Sequence, residues 1–141
     1  MELNEVREKY FIDTSYIIAL SSKKDQLHQK AVNIADIINK NKISLLTTEF
    51  ILLELGNSFS KQHLKQKGII LIKSIYHDEN IEVIKLSDKY YQLGLALYEN
   101  TQDKNWSLTD CISFEILKDR NVRNVLTSDS HFTQAGFNKL L

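Results

Sequence analysis

Four acidic residues, Asp13, Glu54, Asp110 and Asp129, stand where their chemistry could matter. Carboxylates brought close repel one another, and their protons come off in coupled steps at raised pKa. A fold keeps such a cluster only at a cost, unless a cation normally sits among the oxygens. Hard carboxylate oxygens suit Mg²⁺ or Mn²⁺. Acids that hold one or two such ions can direct water onto a phosphodiester, one ion acidifying the water and a second stabilising the leaving oxygen. Everything depends on whether the four acids meet.

Each acid also has an ordinary explanation. Asp13 follows Tyr10-Phe11-Ile12 and precedes Thr14-Ser15, a place where Asp serves as a helix cap or turn residue. Glu54 interrupts the apolar run Phe50 to Leu55. On a helix it shares a face with Asn57, Ser58 and Lys61, so it reads as a solvated acid paired with Lys61 or as the lining of a polar groove. Ser107-Leu108-Thr109-Asp110 has the Ser-x-x-acid form of a capping box, with Asp110 near the positive end of a helix dipole. Asp129, in Thr127-Ser128-Asp129-Ser130-His131, can cap a short helix after a strand. Asp103 reads as a loop acid. His131, beside Phe132, reads first as a surface or packing residue and second as a phosphate or proton contact. His28, His63 and His77 have no partners at ligand spacing. Cys111 is the only cysteine and lies in an apolar stretch, so no intrachain disulfide and no cysteine-based zinc site can form, and a core role is expected.

The elements that must position these residues follow from apolar periodicity. Tyr10-Phe11-Ile12 predicts a buried strand ending at Asp13, followed by a short helix through Tyr16 to Leu20. Leu27, Ala31, Ile34, Ala35 and Ile38 recur at helical spacing. Ile43 to Leu46 predicts a second strand, with Thr47 or Thr48 capping a helix that carries Ile51, Leu52, Leu55 and Phe59. Residues Ile69 to Tyr76 read as a helix, Ile81 to Leu86 as a strand and Tyr90 to Tyr98 as a helix. After the polar loop Asn100 to Asn105, Ser107 opens a helix through Ile112 and Ile116. Asn124 to Thr127 forms a fourth strand, and Phe137 to Leu141 adds a fifth. Alternating strands and helices predict an α/β domain with a mostly parallel sheet of four to five strands. Ligands of such sheets bind outside the carboxyl ends of the strands. Asp13 and Asp129 close strands, Glu54 lies about one turn into a helix after a strand, and Asp110 lies in the first turn of a later helix. All four acids can therefore crowd onto one edge.

Composition narrows the remaining classes. At 141 residues the chain has the size of one domain, and no linker, repeat or low-complexity segment divides residues 1–141. Apolar residues make up 43% and charged residues 26%, as in ordinary soluble proteins. No apolar run approaches the ~20 residues of a membrane span. The charged start, Met1 to Lys9, lacks the apolar stretch of a signal peptide, so a cytoplasmic location without membrane contact is expected. Eighteen Lys and Arg balance eighteen Asp and Glu. That balance lacks the basic excess of many nucleic-acid binders, although acids gathered at one place leave bases in excess elsewhere, and bound cations reverse the local sign. Lys61, Lys65 and Lys67 read mainly as a solvated helix face, with contact to a phosphate backbone as the alternative.

Four segments carry a family resemblance: Phe11 to Ser15, Thr47 to Asn57, Trp106 to Phe114 and Ser128 to Phe137. In this order they resemble the successive motifs of PIN-domain proteins, and among these the toxins of the VapC type. The resemblance covers nearly the whole chain. It implies a single domain with a parallel sheet and helices on both faces, and Mg²⁺- or Mn²⁺-dependent cleavage of RNA. It implies Asp13, Glu54, Asp110 and Asp129 as the acidic metal ligands, with Asp129 at the place where the family varies. Thr14 or Ser15 and Asn57 match polar positions that support the site. A homodimer is implied, as is a restraining antitoxin protein. A dehalogenase-type phosphatase would need a second Asp where Ser15 stands, and a receiver domain would need an early acidic pair that is missing. A catalytically inactive PIN-like module that binds RNA or a protein is the remaining alternative, and four crowded carboxylates near phosphates would serve it poorly. The sequence names no RNA target and no substrate-binding residues.

Overall fold

The apolar trio Tyr10-Phe11-Ile12 sits in the first strand, β1 (Lys9–Ile12), where Phe11 and Ile12 are buried and Lys9 faces solvent. The computed structural model describes residues 8–141; residues 1–7 of the charged N-terminal stretch lie outside the described part. The chain continues through α1 (Thr14–Ser21), α2 (His28–Asn41), β2 (Ser44–Thr48), α3 (Glu49–Ser58), α4 (Gln62–His77) and β3 (Ile81–Ile84). It ends with α5 (Asp88–Asn100), α6 (Leu108–Asp119), β4 (Asn124–Leu126), α7 (Ser130–Gln134) and β5 (Asn138–Lys139).

The five strands form one sheet in the order β3-β2-β1-β4-β5, with every neighbouring pair parallel. Parallel pairing requires long crossovers, and the helices supply them while flanking the sheet. Because β1 lies between β2 and β4, the chain leaves it to one side and returns on the other. That arrangement makes the carboxyl ends of β1 and β4 the switch point of the sheet, the usual place for a ligand crevice. The helix before β4, α6, runs back toward the strand's start, which puts its N-terminus at the same edge.

Capping follows the sequence signals. Thr48 accepts a hydrogen bond from Ile51 N, Ser87 caps α5 in the same way, and Ser107 forms a complete capping box with Asp110. Some elements differ from their sequence reading: β3 ends at Ile84 rather than Leu86, and α4 begins seven residues before Ile69. Its first residues, Gln62 to Lys67, are polar and exposed apart from the half-buried Leu64, and one apolar residue does not make a stripe. The fifth strand is also shorter than the segment read from Phe137 to Leu141.

Two packing regions fix the elements that carry Asp13, Asp110 and Asp129. Phe114 of α6 packs edge-on against Phe132 of α7, centroids 5.1 Å apart, and stacks on Phe137 at 5.7 Å, while Phe11 of β1 approaches Phe132 at 6.4 Å. Such aromatic pairs contribute roughly 0.5–1.5 kcal/mol each beyond area burial. The cluster therefore ties β1, α6 and α7 into one body. Helices α5 and α6 meet closely at Gly94, where an added Cβ would lie 2.2 Å from Ile112 Cγ1 and 2.8 Å from Ile112 Cα. Among the described residues no helix is long and apolar enough to cross a membrane.

Candidate metal centre

Asp13 leaves β1 and occupies the N-cap position of α1, yet its side chain makes no capping bond. It is 7% exposed and faces the neighbouring strand's end, where Thr127 Oγ1 donates to Asp13 Oδ2 at 2.7 Å. Ser15 Oγ lies 3.4 Å from the same oxygen. Burial pushes the Asp13 carboxyl up to about 6, against the hydrogen bond from Thr127, and the charges of Glu54 and Asp110 add to the rise. The capping explanation of Asp13 therefore does not hold. Repulsion contributes to its raised pKa, but desolvation is the larger cause.

Glu54, half-buried on α3, accepts a hydrogen bond from Thr14 Oγ1 at 2.6 Å. The pairing with Lys61 expected of a solvated helix acid is not made. Among the described residues no Lys or Arg forms an ion pair with Asp13, Glu54, Asp110 or Asp129.

Asp110 has two roles at once. Its Oδ2 accepts from Ser107 N at 3.0 Å, completing the capping box of α6, and lies 3.1 Å from His131 Nδ1. Asp129 likewise caps α7 by accepting from His131 N at 2.9 Å, and its Oδ1 lies 3.4 Å from His131 Nδ1. For these two acids the capping reading and the cluster reading are both true, because a helix N-terminus placed at this edge delivers its cap residue there.

Thr127 joins the parts. Its hydroxyl donates to Asp13 and accepts from Asp129 N at 3.0 Å, while Ser15 Oγ lies 3.3 Å away and accepts from Ser128 N at 3.0 Å. Sequence reasoning did not assign Thr127 to the site, since a threonine ending a strand looks like a β-former. It also ranked His131 as a surface or packing residue, and the imidazole instead turns onto two of the acids. The only signal was the spacing Asp129-x-His131. Thr14 and Ser15 both bond within the cluster, whereas Asn57 is exposed and makes no hydrogen bond to it among the described residues. Lys61, Lys65 and Lys67 are exposed.

The donor set fits a divalent cation. Ligand atoms of Asp110, Asp129 and His131 all lie within 4.8 Å of one another, and donors bound at 2.0–2.6 Å are necessarily less than about 5 Å apart. Asp13 stands near enough to Glu54, and to Asp110 of this trio, for their charges to interact with its own. An apolar cavity of about 430 Å³ lies instead among α1, α2, α4, β2 and β3; none of the four acids lines it. Polar oxygens at the sheet edge, not enclosed volume, mark the chemical site.

The family model of the PIN domain matches residues 10–138. The chain belongs to the PIN-domain family. This PIN domain also resembles solved structures over nearly its whole length. Against VapC20 of Mycobacterium tuberculosis, described as a toxin cleaving the sarcin-ricin loop, the TM-score is 0.78 at 19% identity, covering 91% of this chain and 95% of that one. Against VapBC2 of Rickettsia felis bound to a DNA fragment from its promoter, the TM-score is 0.66 at 18% identity, covering 94% and 97%. DNA-bound VapBC of Salmonella typhimurium gives 0.68 at 13% identity, covering 94% and 96%. At these identities the likeness is one of fold. No curated protein matches the sequence.

Proposed function

We propose that this PIN domain is a Mg²⁺- or Mn²⁺-dependent endoribonuclease, the toxin of a toxin–antitoxin pair of the VapBC type. The observation that carries the reading is the meeting of Asp13, Glu54, Asp110 and Asp129 at one sheet edge without a Lys or Arg partner among the described residues. Unneutralised carboxylates at such spacing are tolerable near neutral pH chiefly when a cation joins them.

In this reading the four acids hold the cation. When bound, it supplies positive charge for the scissile phosphate and acidity for the attacking water. The protein's own groups set the stage. Thr14 fixes the Glu54 carboxylate, Thr127 and Ser15 fix Asp13, and the two helix caps fix Asp110 and Asp129. Ligands locked by their neighbours need no reorganisation when substrate arrives. Lys61, which precedes α4, and Lys65 and Lys67 in its first turns are exposed and suit contact with backbone phosphates away from the cut. An antitoxin partner and a homodimer belong to the proposal by analogy with VapBC complexes.

The test is incubation of the purified protein with total RNA and Mn²⁺ or Mg²⁺, followed by sequencing of the new ends. Discrete cleavage is expected, abolished by EDTA and by Asp13→Asn. Intact RNA under all metal conditions, from a folded protein, would remove the catalytic reading and favour a binding module.

A further inference from the structure

We infer that His131 is itself a metal ligand, so that Asp110, Asp129 and His131 form an imidazole-containing cation position favouring Mn²⁺ over Mg²⁺. This position lies beside the all-oxygen pair of Asp13 and Glu54, and the inference rests on the metal-dependent reading above.

The geometry is that of a ligand set. His131 Nδ1 lies 3.1 Å from Asp110 Oδ2 and 3.4 Å from Asp129 Oδ1, and one donor atom from each of the three falls inside a 4.8 Å envelope. An imidazole with no task at a surface would extend into water. Here the His131 side chain is only 27% exposed and its Nδ1 faces the acids.

Its position is also held. The next residue, Phe132, is 1% exposed and packs among Phe11, Phe114 and Phe137. Helix α7 is capped by Asp129, one of the same three residues. A neutral imidazole with its proton on Nε2 presents the Nδ1 lone pair to the space shared with the two carboxylates.

That donor type discriminates between metals. Mg²⁺ binds through oxygen and keeps much of its water, whereas first-row transition ions accept imidazole nitrogen. Mn²⁺ accepts both carboxylate and imidazole, so the trio suits it better than it suits Mg²⁺.

The test loads the purified protein with Mn²⁺, without RNA, and records pulsed electron paramagnetic resonance. Modulation from a coordinated ¹⁴N is expected, replaced by a ¹⁵N signature when the protein is grown with ¹⁵N-histidine. In His131→Gln the nitrogen modulation should disappear. Mn²⁺ affinity by calorimetry should fall on the order of tenfold or more, the scale on which loss of a site partner weakens metal binding, with a much smaller change for Mg²⁺. Bound Mn²⁺ without nitrogen modulation in the wild type would overturn the inference and leave the nuclease reading standing. Modulation that survives His131→Gln would also overturn it. Absence of any Mn²⁺ binding would overturn both. The isotope arm needs no variant, so a misfolded substitution cannot hide the answer.

Discussion

Asp13 is a buried acid that the fold holds in an unfavourable protonation balance. Its folded pKa of about 6 lies above the ordinary aspartate value of 3.8. Between those two values the folded protein binds more protons at this site than the unfolded chain, so stability falls as pH rises through that window. The stabilising contribution is complete below about pH 4 and lost above about pH 6. For a shift of this size it is on the order of 2–3 kcal/mol. Asp13→Asn keeps an oxygen to accept from Thr127 and removes the charge. In the metal-free state it is expected to be more stable than the parent at pH 7 and to lose that advantage at pH 4. Denaturant melts at the two pH values check this; equal differences at both would show that the carboxylate's charge is not the cause. Asp110→Asn would not serve the same purpose, because that carboxylate also completes a capping box. Asp13, Asp110 and Asp129 stand out in the sequence because each follows a strand or opens a helix, and Glu54 because it interrupts an apolar run. Thr127 and His131 do not. Their partners lie far off in the chain and are chosen by how α6, α7 and β1 pack.

Among the elements, α6 carries the most consequence for the site. It delivers Asp110 from its first turn and reaches α7 through Phe114. Its seat against α5 depends on Gly94, which leaves no room for a Cβ beside the Ile112 backbone. Overpacking of this kind costs roughly 1–3 kcal/mol. Gly94→Ala is therefore expected to lower the melting temperature by several degrees and to weaken metal binding as α6 is pushed aside. An unchanged melting curve would show that the two helices separate without strain. The strand–helix alternation itself was readable, since Phe11, Leu46 and Val125 sit in short apolar runs and Ile51, Leu55 and Ile116 fall at helical spacing. What escaped was the start of α4. Gln62, Lys65 and Lys67 face outward and Leu64 alone packs inward, too little to show as apolar periodicity.

For the molecule as a whole, a cation that binds the folded state and not the unfolded chain must stabilise it. At ~100-fold excess over the dissociation constant the gain is about 2.7 kcal/mol, or very roughly 5–10 °C in melting temperature for a domain of this size. Thermal melts across a Mn²⁺ or Mg²⁺ titration at pH 7 are expected to rise accordingly, and the rise should shrink for Asp129→Asn. A flat series would leave the acids without a cation to justify them. The neutral total of charges gives no sign of an acidic cluster, because eighteen bases and eighteen acids say nothing about where each sign collects.

The Thr127–Asp13 hydrogen bond spans 114 positions of the chain, and β1 pairs with β4 across a similar stretch. Contacts so distant in sequence are slow to form and late to be rewarded. A partly assembled molecule with β1, β2 and β3 in place would already hold Asp13 and Glu54 but would lack the other half of the centre. On the proposed reading, the cation position would be complete only once β4 closes onto β1.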